Sequence, residues 1–270
     1  MQASREWGFV PPDGFLQTGF SPPNFLDARF SVLQREGKPG KVCSLSPVFH
    51  MKTPAIKIAL ITALCAFAVP AARLAAQDIT LPAPQKTGGM PLMEALAKRS
   101  TARVFDPARE LSQQQLSNLL WAAWGVNRPD GRRTAPSASN KQEIDIYVLI
   151  KQGAYRYDAQ AHKLVGVAAG RDVRESSGTP KQNFVKDSPL TLVFVADFTK
   201  LSQAEENEKY KAASINTGFI SQNVYLYCAS EGLISVVRTT VARARLATEL
   251  ALKDTQKIIA AHNVGHARKQ

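Results

Sequence analysis

Three cysteines, Cys43, Cys65 and Cys228, are all this chain has, and no two of them form a CxxC pair. That speaks against a cysteine-built zinc site. The four histidines, His50, His162, His262 and His266, include no HExxH; only His262 and His266 are close in sequence, and they read as structural or surface residues. There is no G-x-G-x-x-G, the glycine fingerprint of a Rossmann dinucleotide fold. No apolar run reaches the length of a membrane span, and no internal repeat is present. The chain also lacks a dense basic run. Its net charge is +12, but the Lys/Arg count is 8 against 4 acidic residues up to Ala76 and 26 against 18 after it, spread throughout. A nucleic-acid binder would need clustered basic residues interleaved with stacking aromatics. The charge instead reads as a solvated surface, with a few basic residues reserved for an anion site.

What is present is an ordinary globular composition, 44% apolar and 21% charged over 270 residues. Residues 1–50 differ from the rest, being rich in Phe, Pro and Gly and free of sustained periodicity. At Met51 the pattern changes. Lys52 and Lys57 precede the apolar run IALITALCAFAV (58–69), Pro70 breaks it, and Leu74-Ala75-Ala76 offers small residues for cleavage before Gln77. This is the layout of a secretory signal, too short in its apolar part for a membrane span. No twin arginine precedes it. The expectation is that translation starts at Met51, that 1–50 is a non-native, unstructured upstream extension, and that 51–76 is removed on export to the periplasm. The alternative is a short buried helix in a cytoplasmic protein. Residues 77–89 then read as a linker and 90–270 as one domain, with no stable membrane insertion once the signal is cut.

Within 90–270 the period of the apolar residues assigns the elements. Residues 91–99 read as a short helix with Leu92 and Ala95/Leu96 on one side. Ser112 and Gln115 form a capping box that opens a helix burying Leu116, Leu119, Leu120 and Ala123 and ending at Gly125. Residues 125–140 form a long loop of turn residues, the kind that tends to carry function. Strands follow at 143–151, 154–157 and 163–165. Residues 171–187 read as polar and mobile, and 189–197 (PLTLVFVAD) as a central strand. The stretch 209–233 is a long helix, apolar nearly all round and therefore buried. Asn216 lies off its apolar face, and Gly218 implies close approach of another backbone or a flat ligand. Gly232 caps that helix, a strand follows at Ile234, Val236 and Val237, and 242–252 (helix) and 257–262 (strand) close the domain. The class is α+β.

Two polar stretches exceed what a scaffold needs. Arg99-Ser100-Thr101-Ala102-Arg103 puts two guanidinium groups and two hydroxyls at a helix end, a set suited to phosphate. Pro136-Ser137-Ala138-Ser139-Asn140-Lys141-Gln142 offers amides and hydroxyls that could read the polar edge of a ring.

Together with Ser221-Gln222-Asn223, Ser230-Glu231-Gly232-Leu233 and the late Ala261-His262-Asn263-Val264-Gly265-His266, these stretches resemble, in this order, the nitroreductase family of flavin enzymes. The match is especially to the branch that includes azoline-oxidising dehydrogenases of peptide natural products, and it covers 90–269. The resemblance implies a nitroreductase-like fold: a central, mostly antiparallel sheet flanked by helices, with the long helix at a homodimer interface and an FMN bound there. It implies that Arg99, Thr101 and Arg103 hold the phosphate and ribityl chain, with Ser100 as the register alternative. Ser137, Asn140 and Gln142 would approach the flavin ring, Gly232 and Leu233 would supply backbone contacts near it, and Arg268 (or Lys269) would reach the phosphate from the carboxyl end. No residue is assigned as acid or base; in such enzymes hydride moves to and from the flavin itself. Two functions stay open: an oxidoreductase acting on nitro compounds, quinones or similar acceptors, and a non-catalytic flavin-binding or flavin-less envelope protein.

Overall fold

The computed structural model describes residues 77–201 and 204–269, without the side chain of Ala169. The start at Met51, the signal segment 51–76 and the upstream extension lie outside the described residues.

Seven strands make one sheet in the order β1-β4-β3-β2-β5-β7-β6, with every pairing antiparallel. In chain order these are β1 (Ile79–Thr80), β2 (Ile144–Ile150), β3 (Gly153–Asp158), β4 (Lys163–Ala169), β5 (Leu190–Asp197), β6 (Ile234–Arg238) and β7 (Gln256–Gly265). The helices are α1 (Leu92–Lys98), α2 (Gln113–Trp124), α3 (Phe184–Asp187), α4 (Glu206–Ser230) and α5 (Arg243–Glu249). Ile79 and Thr80, inside the stretch read as a linker, pair with Leu164 and Lys163 as the edge strand.

Side-chain alternation sorts the central strands between two cores. Ile144, Ile146 and Val148 of β2 and Leu190, Leu192, Phe194 and Ala196 of β5 face α2 and α4. Tyr147, Leu149, Val193 and Val195 face the other way, against Leu246 and Leu250 of the α5 region. Hence β2 is covered on both faces, and its intervening positions are buried aromatic and apolar residues, Asp145 excepted. Each fully buried Leu or Phe is worth about 1.5–3 kcal/mol against exposure. The α2 capping box forms as expected: Ser112 Oγ accepts from Gln115 N–H at 3.1 Å and Gln115 Oε1 accepts from Ser112 N–H at 3.0 Å.

Three sequence expectations need correcting. Residues 171–187 are packed, not loose. They contain a 3-10 turn, Arg174–Ser177, and α3, with Ser176, Ser177 and Val185 buried. The cause is remote. Arg238, at the end of β6 and buried, donates to Ser177 O (2.7 Å), Ser177 Oγ (2.6 Å), Asn263 Oδ1 (2.8 Å) and Thr240 O (3.1 Å). These acceptors are all neutral, and burial pulls the guanidinium down to about 10.

Second, α4 is buried along one stripe only: Ala213, Thr217, Ile220, Ser221, Val224, Tyr225 and Cys228. Ile215 and Phe219 on its other side are 51% and 45% exposed. Asn216 belongs to the buried stripe, because its Nδ2 donates to Oε1 of the fully buried Glu143 at 2.7 Å.

Third, Leu92 and Leu96 of α1 face outward, and only Ala95 is buried.

Candidate functional site

The polypeptide leaving α1 runs along the open edge of β6. Ala102 N–H donates to Ser235 O at 3.1 Å. Phe105 then bridges to Ala267, Asp106 N–H donates to His266 O at 2.9 Å, and Arg268 N–H donates to Val104 O at 3.1 Å. This zipper is possible because Gly265 has no Cβ; one there would meet Pro189 Cδ at 2.6 Å. It brings the segment carrying Arg99, Thr101 and Arg103 beside the chain end carrying Arg268. Arg103 sits over the Phe184 ring, 5.9 Å from its centroid, and Arg268 Nη2 reaches Asp187 at 3.2 Å.

Arg99 and Thr101 converge on one residue of α4. Thr101 Oγ1 lies 3.0 Å from the Tyr225 hydroxyl, and the Arg99 guanidinium stands 5.4 Å from the Tyr225 ring centroid. Tyr225 packs inward on His262 with ring centroids 4.5 Å apart. Ser100 is exposed.

Tyr225 also lines a cavity of about 500 Å³ between α4 and the β6–β7 edge of the sheet. Ser214, Thr217, Gly218 and Ser221 form its helical wall, and Val237, Thr239, Ile258, Ile259 and Ala260 its floor. Its size is that of a small-molecule site, and its lining mixes an apolar floor with a few polar groups. Thr217 Oγ1 and Ser221 Oγ are buried without a hydrogen-bond partner. A buried hydroxyl left unpaired costs about 1–3 kcal/mol. No lining residue is acidic, while Arg243 is cationic. Arg243 is held by the carbonyls of Ile258 (3.0 Å), Thr239 (2.9 Å) and Ile259 (3.1 Å). A Cβ added at Gly218 would meet nothing within 4 Å. The close approach expected at Gly218 is therefore not made by any described residue of this chain.

The second polar stretch forms a separate, self-contained turn. Ser139, Asn140 and Gln142 all adopt left-handed backbone, with φ of 49°, 52° and 48°. Such strain costs about 1–3 kcal/mol per residue and tends to gather at functional loops. Gln142 N–H donates to Ser137 Oγ (3.0 Å), Gln142 Nε2 to Asn140 Oδ1 (3.0 Å), and Arg133 Nε to Gln142 Oε1 (2.8 Å). None of these bonds reaches residues 99–103. Gly232, at φ +65°, ends α4, with Leu233 N–H returning to Cys228 O at 2.8 Å. Leu233 is in the core. Neither lines the cavity, whereas Val237 and Thr239, farther along β6, do.

Reading by motif passed over Tyr225, Thr217, Thr239 and Arg243, and took Ser221 only as part of the family resemblance. One signal was available. Ser214, Thr217, Gly218 and Ser221 recur at helical spacing, a stripe of small polar residues on one side of an otherwise apolar helix.

Other polar groups are ruled out as nucleophiles by their own bonds. Ser117 Oγ donates to Pro82 O at 2.6 Å, so at 2.7 Å from His162 Nε2 it accepts rather than gives up a proton. His162 Nδ1 in turn accepts from the Tyr157 hydroxyl at 2.9 Å. Burial pushes the Cys228 thiol up to about 12. Among the described residues, no group of three His, Cys, Asp or Glu side chains is placed to hold a metal, and no helix is long and apolar enough to cross a membrane.

The family model for the nitroreductase family matches residues 96–266, well over half of the chain. The chain belongs to the nitroreductase family. A curated nitroreductase-family protein of Methanocaldococcus jannaschii is 28% identical over 152 residues, covering 54% of this chain and 76% of that protein. The crystal structure of a nitroreductase-family protein from Ralstonia eutropha JMP134 is 41% identical, with a TM-score of 0.68 over 72% of this chain and 91% of its own. The fold is also shared by the E. coli microcin synthetase McbBCD complex, at 17% identity and a TM-score of 0.56 over 81% and 85% of the two chains. Membership covers both halves of the candidate site, the arginine segment and the α4 cavity, since both fall within the matched residues. It makes this chain one of a family of flavin oxidoreductases.

Proposed function

We propose that this protein is an FMN-dependent oxidoreductase that works as a homodimer, passing electrons from a donor to a small-molecule acceptor such as a nitro compound or quinone. The observation that carries the reading is the placement of Arg99 and Thr101 on Tyr225, which lines a cavity of about 500 Å³ beside Thr217 and Ser221. From Ser235, beside Ala102, to Thr239, at the cavity floor, is four residues of near-extended chain, about 13 Å at ~3.3 Å per residue. That separation suits a phosphate held at Arg99, Thr101, Arg103 and Arg268 with a flat ring over Val237 and Thr239. Thr217 and Ser221 would hydrogen-bond the ring's polar edge, and Arg243 would face charge that develops on it. The bound flavin would supply the hydride chemistry; the protein binds, orients and excludes water.

A dimer is supported by the apolar residues this chain leaves in water. Leu92, Met93 and Leu96 of α1, Val104, and Tyr210, Ile215 and Phe219 of α4 are all exposed. A second copy would cover that face and bring its own Ser137, Asn140 and Gln142 toward the ring, which the turn does not reach within one chain.

We also propose that the mature protein is exported without its flavin, since general secretion threads unfolded chains. NAD(P)H would then not be its physiological donor.

The test is the purified protein's flavin band and its anaerobic bleaching by NADH, NADPH and other donors, with recovery on adding an acceptor. Arg99→Ala with Arg103→Ala together is expected to yield folded protein without flavin, since each charge-assisted contact is worth about 1.5–3 kcal/mol. Wild-type flavin content in that variant would refute the assignment. Wild-type flavin that no donor bleaches would favour a non-catalytic binding protein.

A further inference from the structure

Tyr225 has a hydrogen-bond order that can be worked out from its partners. Its hydroxyl accepts from Val237 N–H at 3.0 Å, and an amide N–H can only donate. Tyr225 is 8% exposed, so its own proton needs an acceptor within the protein. Thr101 Oγ1, at 3.0 Å, is the remaining partner. The polarity therefore runs from Val237 N–H to Tyr225 O–H to Thr101 Oγ1. With a lone pair engaged by Tyr225, Thr101 must turn its own proton outward. The same ring carries the Arg99 guanidinium above it, 5.4 Å from the centroid. One buried aromatic side chain thus aims both the hydroxyl donor and the cation of the anion cradle.

We infer that Tyr225 is the positioning residue for the cofactor's phosphate. It fixes Thr101 as a donor rather than an acceptor, and it is the platform on which Arg99 stands. The inference rests on the FMN reading above. It assigns to α4, through a side chain that also lines the ring cavity, control over an anion bound at the rim. Each bond in such a chain polarises the next, so the effect on a charged ligand exceeds that on a neutral one. The specificity follows: Tyr225 favours FMN over riboflavin, which has the same ring and ribityl chain but no phosphate.

The experiment is fluorescence titration of the flavin-stripped full chain with FMN and, separately, riboflavin, for wild type, Tyr225→Phe, Thr101→Val and the double variant. Phe keeps the ring under Arg99 and removes only the hydroxyl. Tyr225→Phe is expected to weaken FMN about tenfold and leave riboflavin unchanged. Thr101→Val is expected to do the same or more, and adding Tyr225→Phe to it to cost nothing further, since the hydroxyl reaches the phosphate only through Thr101. Equal weakening of FMN and riboflavin would reduce Tyr225 to a packing residue and overturn the inference, as would wild-type FMN affinity in Tyr225→Phe or additive losses in the double variant. Failure of the FMN reading would look different: wild-type protein would bind neither flavin, or bind both alike with no loss from Thr101→Val.

Discussion

His262 offers a direct check on the packing beneath the site. It lies fully buried on β7, packed against Tyr225 with the two rings tilted by 59°, and neither ring nitrogen has a hydrogen-bond partner. Desolvation pushes the imidazole from its usual 6.5 down to about 3. A depressed base is neutral in the folded chain and takes up a proton only on unfolding, so the unfolded state gains as pH falls below 6.5. Stability is fully present above 6.5 and drains away between 6.5 and about 3. At 1.36 kcal/mol per pH unit, the loss relative to pH 7.5 is about 1.4 kcal/mol at pH 5.5 and about 2.7 kcal/mol at pH 4.5. The perturbation is His262→Leu, similar in volume and without polar atoms to leave unpaired. The assay is urea unfolding followed by circular dichroism across that range. Burial also lowers His162 and His266. Their contributions appear in both proteins and cancel in the difference. The variant is expected to be at least as stable as wild type at pH 7.5, since two unpaired buried nitrogens go with the imidazole, and the gap should widen by about 2.7 kcal/mol at pH 4.5. Parallel pH profiles for the two proteins would refute the argument, because they would mean that His262 is solvated or bonded in the folded state.

Gly218→Ala is expected to raise the stability of the isolated, flavin-free chain by up to about 1 kcal/mol, because the new methyl meets nothing within the chain. The same change should loosen the dimer or its flavin, and light scattering together with flavin content checks that; a variant normal in both would leave the glycine unexplained. Amino-terminal sequencing of protein from its native host is expected to begin at Gln77, and any peptide from 1–50 in that sample would refute the start at Met51. Envelope location with sluggish reduction by NADH and NADPH is expected in fractionation and stopped-flow experiments; cytoplasmic location with rapid reduction would point to an ordinary NAD(P)H-dependent enzyme.

The elements that were legible in the sequence are those whose cause is local. The α2 helix was readable because Ser112 and Gln115 cap it within one turn, and the end of α4 because Gly232 can adopt the positive φ its neighbours resist. The apolar period of β2 and β5 gave their positions, though not that β2 is covered on both faces. What failed depends on contacts far along the chain. Residues 171–187 look loose in isolation, and distant residues, Arg238 foremost, tie them down. Asn216 looks like a surface residue until Glu143, 73 positions earlier, is placed against it. The site divides in the same way. Arg99, Thr101 and Arg103 form a compact motif, but the cavity they border is assembled from α4, β6, α5 and β7, and no short stretch of sequence displays it.

The error over α4 is the most instructive. Its residues are apolar nearly all round, and that pattern ordinarily denotes a helix enclosed on every side. In the single chain it is enclosed on one. Burial of Ile220, Val224 and Cys228 satisfies one face, while Ile215 at 51% and Phe219 at 45% exposure lie in water beside the exposed Leu92, Met93 and Leu96 of α1. Single exposed apolar residues are common and need no explanation, but a contiguous set on two packed helices marks a surface for another molecule. The same face includes Gly218, open within this chain, and it flanks the cavity with its two unpaired hydroxyls. The partner surface and ligand proposed above would cover Ile215, Phe219 and Gly218, while Glu206 and Glu208 in the first turn of α4 are exposed. Counting the apolar residues of α4 showed how much of it could be buried, but not which of its faces the rest of this chain covers.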